Sequence, residues 1–277
     1  MLKEIPMDAL LVSKESFDDD EPSEIAFSNM SVVDLHLSNY FTHDELSKDA
    51  MRAYMVEFFY CQLQNGGFAQ FAYNFDWAEH VEYLTEGLEA VGAIKHLELF
   101  EQICAKLLED EGLEKLKTLL QSDFFDENPE RDEINDMGEE FWNLEKEEYL
   151  EELVSKWIRS LPSLVVLPTP DIESLVKERV EVLPDLDSRI QKAKDDAPQF
   201  EKLILVLCEK SGQELDTFTA GDPSHVYEGN KMMAWHFITD QGHHHMVEDE
   251  GKAIMFKGHT TEVVCEIDAE LLDGEEE

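Results

Sequence analysis

The chain has 277 residues, of which 64 are Asp or Glu and 22 are Lys or Arg, giving a formal charge of −42. Hydrophobic residues still make up 43%, with 16 Phe and 4 Trp, so there is material for a sizeable core and the acidity is not that of a disordered tail. Direct binding of nucleic acid or of an anionic membrane surface is close to excluded, since both need a basic face; cations and basic proteins are the natural partners.

Residues 1–170 carry a net charge of −26 and residues 171–277 one of −16, so the acidity belongs to the whole surface. A folded monomer of this mass exposes roughly 12,000 Å², which gives one acid per roughly 190 Å². Duplex DNA has one phosphate per roughly 110 Å². Imitation of DNA therefore requires local clustering.

The start, Met1-Leu2-Lys3-Glu4-Ile5-Pro6, lacks the apolar stretch of a signal peptide. The longest apolar run, Leu203–Cys208, is far short of the ~18 residues of a spanning helix. Cys61, Cys104, Cys208 and Cys265 form no CxxC pair, as expected of reduced thiols in a cytoplasmic protein.

Residues 1–40 are mixed, and Phe17–Glu24 reads as a charged, proline-bearing loop without the spacing of a calcium site. Thr42-His43-Asp44-Glu45 is a capping box. It predicts a helix to about Gln64, ended by Asn65-Gly66. The run Tyr54–Cys61 is apolar nearly all round, so that helix is central, and Glu57 inside it needs hydrogen-bond partners or a raised pKa. A short helix over 68–74 follows, then one over 78–91 behind Asp76. Gly92 separates that from another over 93–109, striped by Leu97, Phe100, Ile103, Cys104 and Leu107. A further helix is expected near 113–121.

Between Asp123 and Glu152 there are 14 acids and two bases. If helical, this stretch spans roughly 45 Å with an acid every ~3.2 Å; one DNA strand has a phosphate every ~3.4 Å. The candidate partner-binding acids are Asp123, Asp126, Glu127, Glu130, Asp132, Glu133, Asp136, Glu139, Glu140, Glu147, Glu148, Glu151 and Glu152. The last four precede or open an amphipathic helix whose inner stripe is Tyr149, Leu150, Leu153, Val154, Trp157, Ile158 and Leu161, with the glutamates expected outside.

Pro162, Pro168 and Pro170 mark a boundary. Beyond it, helices are expected over 172–182 and 185–194, and Leu203–Cys208 reads as a buried strand. Further strands are expected over 233–239, 243–247, 253–257 and 262–267, separated by Asp240-Gln241-Gly242, Glu250-Gly251 and Lys257-Gly258. The fold class is α+β: a mostly helical domain over 1–165, then a smaller α+β module over 171–277 with an antiparallel sheet.

His225, His236, His243, His244, His245 and His259 gather in that module. On a strand His243 and His245 share a face, and a metal site would need more ligands, from His236 or Cys265. No ligand-spacing signature is present, so no metal or cofactor is expected. There is no GxSxG, P-loop or GxGxxG, and Asp222-Pro223-Ser224-His225 is no local signature of a triad. Nothing points to an enzyme.

The run from Glu57 through Asn74, with its Asn65-Gly66-Gly67-Phe68-Ala69-Gln70-Phe71 turn, and Leu88-Glu89-Ala90-Val91-Gly92-Ala93 downstream, resemble the bacterial DNA mimic protein nineteen family over roughly residues 40–165. Glu57, Asn65, Gly66, Gly67, Phe68, Gln70, Asn74 and Gly92 carry the motif. They read as structural: Gly66 and Gly67 allow a tight turn and Gly92 a close helix contact. The resemblance implies a mostly helical homodimer whose carboxylates imitate phosphates. They would occupy the DNA-binding face of a basic regulator, such as a helix-turn-helix protein. The leading reading is thus a non-enzymatic binding protein. Two alternatives stand beside it: a metal-dependent enzyme using His236, His243, His245 and Glu57 or another carboxylate, and an acidic protein with no mimic role.

Overall fold

The structure, a computed structural model, describes residues 5–108, 114, 129–136 and 138–269. It divides into two units, 1–186 and 187–277.

In the first unit, β1 (Leu10–Ser13) leads into α1 (Lys14–Asp18) and α2 (Pro22–Leu37). The region read as mixed thus holds a 16-residue helix opened by Pro22 at its first turn, where a missing N–H costs nothing. The capping box forms, with the Thr42 amide donating to Glu45 Oε2 at 2.9 Å, but it closes only the 3₁₀ turn His43–Glu45. Leu46 is extended, and Ser47 opens the long helix instead, its Oγ accepting from the Ala50 amide at 3.3 Å. That helix, α3 (Lys48–Asn74), runs through both predicted segments with a break at Gly66 and Gly67.

Then follow α4 (Val81–Val91), α5 (Ile94–Leu108), α6 (Pro129–Asp136), α7 (Gly138–Glu145) and α8 (Leu150–Ser160). The helix expected near 113–121 lies outside the described residues apart from Glu114. Asp76 caps the turn before α4, accepting from the Ala78 and Glu79 amides. The core is aromatic: Phe59 meets Phe68, Phe71, Phe100 and Phe141 with ring centroids 5.0–5.9 Å apart, as a helix apolar on nearly all sides requires. Leu150, Val154 and Ile158 of α8 close it from the other side, as the stripe predicted. Strand β2 (Leu164–Leu167) returns to pair in parallel with β1.

Compactness divides the chain after Leu186 rather than at the prolines over 162–170. The reason is α9 (Thr169–Glu181), whose Ile172, Leu175 and Val176 pack with Ala9, Leu11 and Val32 of the first unit.

In the second unit, α10 (Leu186–Asp196) and α11 (Gln199–Ser211) precede an antiparallel sheet in the order β3-β4-β5-β6-β7. Its strands are β3 (Leu215–Tyr227), β4 (Asn230–Thr239), β5 (Gly242–Asp249), β6 (Lys252–Lys257) and β7 (Val263–Asp268). The last four match expectation. Leu203–Cys208 does not: it is the middle of α11. Pro198 stands just before the first residue of that helix and Gly212, at φ 67°, ends it. Leu203, Ile204, Leu207 and Cys208 then fall on one buried stripe. A six-residue apolar run has no periodicity of its own, and here the flanking proline and glycine decide. Glu228-Gly229 and Glu250-Gly251 close hairpins with positive φ at both positions, the twist that matches two-residue connections.

Strand alternation gives the sheet two faces. Phe237, Met246, Ala253, Met255 and Ile267 meet α11. Ala234, Val247, Ile254 and Phe256 form the opposite apolar patch, joined by Tyr227 and Met232.

Candidate partner-binding surface and the carboxylates beneath it

The structure sorts the expected acids into several environments. Asp123, Asp126 and Glu127 lie outside the described residues, and Glu130 and Glu133 are placed on α6 by their backbone alone. Asp132 and Asp136 on α6, and Glu139 and Glu140 on α7, are exposed. So are Glu147 and Glu152, each in an ion pair at 2.8 Å, with Lys95 and Lys156 respectively. Glu148 is half-buried. Glu151, expected outside, is 6% exposed. The stretch is not one continuous helix but three helical pieces in the described part, so its carboxylates do not run as a single row.

The inward acids form a centre of their own. Glu57 on α3 is 1% exposed. Its carboxyl is pushed up to about 7, by burial first and then by Glu151 and Glu145; the Cys61 thiol, 3.6 Å from its Oε1, works in the other direction. Of the two outcomes expected for a carboxyl at this position, hydrogen-bond partners or a raised pKa, the second is the main one, with the thiol as its hydrogen-bond contact. Glu151 is also raised, by burial and by Glu145 and Glu21, against the hydroxyl that Tyr149 donates to it. Glu145 was not among the expected surface acids. Its Oε1 lies 2.8 Å from Nε2 of the fully buried His96 and accepts from the Leu150 amide at 3.2 Å, fixing the start of α8. The signal for His96 was its place on the α5 stripe, one turn before Phe100. Cys61 is held up to about 12 by burial and by Glu57, so no thiolate accompanies the carboxyl. This centre is a set of carboxyls kept from water, not a nucleophile with its base.

The motif residues take defined positions. Gly67 adopts φ 72° and Gly66 is also non-helical. A Cβ on Gly67 would stand 2.5 Å from Asn135 Oδ1. That oxygen accepts from the Ala69 amide at 3.0 Å, so Asn135, one residue before the end of α6, caps the second half of α3. Phe68 is fully buried. Gln70 and Asn74 both donate to Gln62 Oε1, at 3.1 and 2.7 Å, tying the halves of α3 across the break. Asn65 is exposed. Gly92 does not permit a close helix contact as expected: at φ 80° it is the left-handed cap of α4, and a Cβ there would meet nothing within 4 Å. The close contact is at Gly87, where a Cβ would come 2.8 Å from the Arg52 carbonyl oxygen.

Residues 44–161 match the family model described as DMP19-like protein. The match covers a little under half of the chain and spans the described elements from the 3₁₀ turn to the end of α8. It bears out the resemblance carried by the Asn65–Phe71 turn and the Leu88–Ala93 segment. No curated protein and no solved structure matches the chain. Within the DMP19-like segment lie Glu57, the glycine break, Asn135 and every described residue of the acidic stretch.

Glu57 lies in the core of the first unit, whereas His236, His243 and His245 share one face of the second unit's sheet, with His236 and His245 directly paired across β4 and β5. Cys265 takes no part there; its Sγ donates to the Leu207 carbonyl oxygen of α11 at 3.4 Å. No helix among the described residues is long and apolar enough to cross a membrane.

Proposed function

We propose that the first unit is a non-enzymatic acidic binding module. It occupies the DNA-binding face of a basic DNA-binding or regulatory protein, such as a helix-turn-helix regulator, as a DNA mimic does. The observation that carries this reading is the exposed group Asp132, Asp136, Glu139 and Glu140 on two successive helices inside the segment that matches the DMP19-like family. Asp132 and Asp136 are one helical turn apart, about 6 Å along the axis. Carboxylates fixed on helices anchored to an aromatic core are presented without much loss of side-chain freedom, and a partner's Lys and Arg meet them through complementary potential.

A competition titration tests the reading. A basic helix-turn-helix protein is bound to a fluorescent DNA duplex, and the full chain is added at several salt concentrations. Displacement of the DNA, weakening as salt rises, is expected. Replacing the four exposed acids with their amides should reduce displacement at least tenfold, while Glu151→Gln leaves it intact. Simultaneous binding of DNA and chain, or binding indifferent to salt, would sink the reading. The homodimer that the resemblance implies is read in the same samples by sedimentation velocity.

A further inference from the structure

The second unit carries a cluster that acidic mimicry does not use. His236 on β4, His243 on β5 and His259 in the turn after β6 each offer a ring nitrogen, and these three atoms all lie within 4.8 Å of one another. His236 Nδ1 and His243 Nε2 are 3.2 Å apart, with the rings stacked at 5.2 Å; the His259 ring lies 4.6 Å from His243 and 5.6 Å from His236.

Neighbouring side chains hold this arrangement. The Gly258 amide donates to the His243 carbonyl oxygen at 2.7 Å, and His245 Nδ1 donates to the Gly258 carbonyl oxygen at 2.7 Å. The turn that bears His259 is therefore pinned at both backbone groups of Gly258 to the strand that bears His243. His245 is stacked on Phe256 at 5.0 Å, which fixes its ring in turn. Second-layer hydrogen bonds of this kind orient metal ligands.

We propose that His236, His243 and His259 form a three-imidazole site for a divalent transition-metal ion of the zinc type, with at least one coordination position left to water or an added ligand. Nitrogens 2.0–2.1 Å from a tetrahedral ion lie about 3.4 Å apart. The His236–His243 pair is already near that separation at 3.2 Å, and His259, exposed on its turn, has a nitrogen within 4.8 Å of both. Imidazole donors suit zinc, copper, nickel or cobalt and not magnesium or calcium, which take oxygen ligands.

A second group, His43, Glu79 and His80 in the first unit, also brings possible ligands together. There Glu79 Oε2 lies 3.3 Å from His43 Nδ1, so a carboxylate contact accounts for the geometry. The His236 trio includes no carboxylate, and the His236–His243 hydrogen bond does not account for the approach of His259.

The experiment is titration of the full chain with Co²⁺ in excess Mg²⁺, the latter to occupy surface carboxylates, followed by visible absorption and calorimetry. One equivalent with an intense tetrahedral d–d spectrum is expected. His259→Gln, which disturbs no buried group, and His243→Gln should each weaken uptake at least tenfold. His225→Gln and His80→Gln should leave it unchanged. No uptake, uptake that survives His259→Gln and His243→Gln, or loss confined to His80→Gln would each overturn the proposal. Failure of the competition titration would leave this result untouched, because the two tests read different units.

Discussion

Replacing Glu57 with Gln removes a charge from the core without changing its shape, and the structure fixes the direction of the effect. The carboxyl has an ordinary pKa of 4.5 and is pushed up to about 7 in the fold. Between those values the folded chain holds a proton that the unfolded chain has released. Stability therefore falls as pH rises through that window, and the loss is complete above it. At ~1.4 kcal/mol per pH unit, the ionised Glu57 costs the first unit about 3 kcal/mol. Glu57→Gln should thus match the natural chain near pH 4.5, gain progressively to pH 7, and stay about 3 kcal/mol more stable at pH 8. Hydrogen exchange of the amides over 48–65, followed against pH in mild urea, reads this without interference from the second unit. Comparing the two chains cancels the general repulsion among surface acids. A difference independent of pH, or a Gln variant less stable throughout pH 5–8, would show that the ionised carboxylate is held favourably and that the argument from burial is wrong.

Two further substitutions probe the same unit. Gly67→Ala forces a side chain into the left-handed region and onto Asn135 Oδ1, so it should lower stability by about 2–3 kcal/mol, backbone and cap together. Gly92→Ala, with open space around it, should lose only the backbone part, ~1 kcal/mol; equal thermal shifts would refute the account of Asn135. His96→Ala leaves the buried Glu145 without the ring nitrogen 2.8 Å from it and should cost about 3 kcal/mol at pH 8. Chemical unfolding reads the loss, and a value below ~1 kcal/mol would mean that the contact with Glu145 contributes little.

What the sequence revealed depended on periodicity. The α8 stripe and the last four strands were legible because three- and four-residue spacing, or alternation between turn glycines, leaves few other folds. The α11 run was misread because six apolar residues in a row carry no period. Its signals were Pro198 and Gly212, which bracket a helix and not a strand. Glu57 could be flagged as a buried acid from its neighbours alone, but Glu151 reads as a surface acid and Glu145 is not singled out at all, since an acid-rich window gives no sign of which carboxyls turn inward. The partners that decide it, His96 and Tyr149, come from a distant helix and from a local hydroxyl. Likewise, His243 and His245 do share one face, but His259 lies beyond a turn, and only the folded hairpin brings it to His243 and His236.

The break at Gly66 and Gly67 has a bearing on how attraction and presentation are divided. Asn135, on the acidic helix α6, is received by that break through a neutral amide hydrogen bond, and Phe141 of acidic α7 is anchored among aromatic rings. Both of these contacts are between uncharged groups. For the basic partner proposed above, salt should therefore weaken the attraction without loosening these two joints, so affinity and presentation would respond to ionic strength separately.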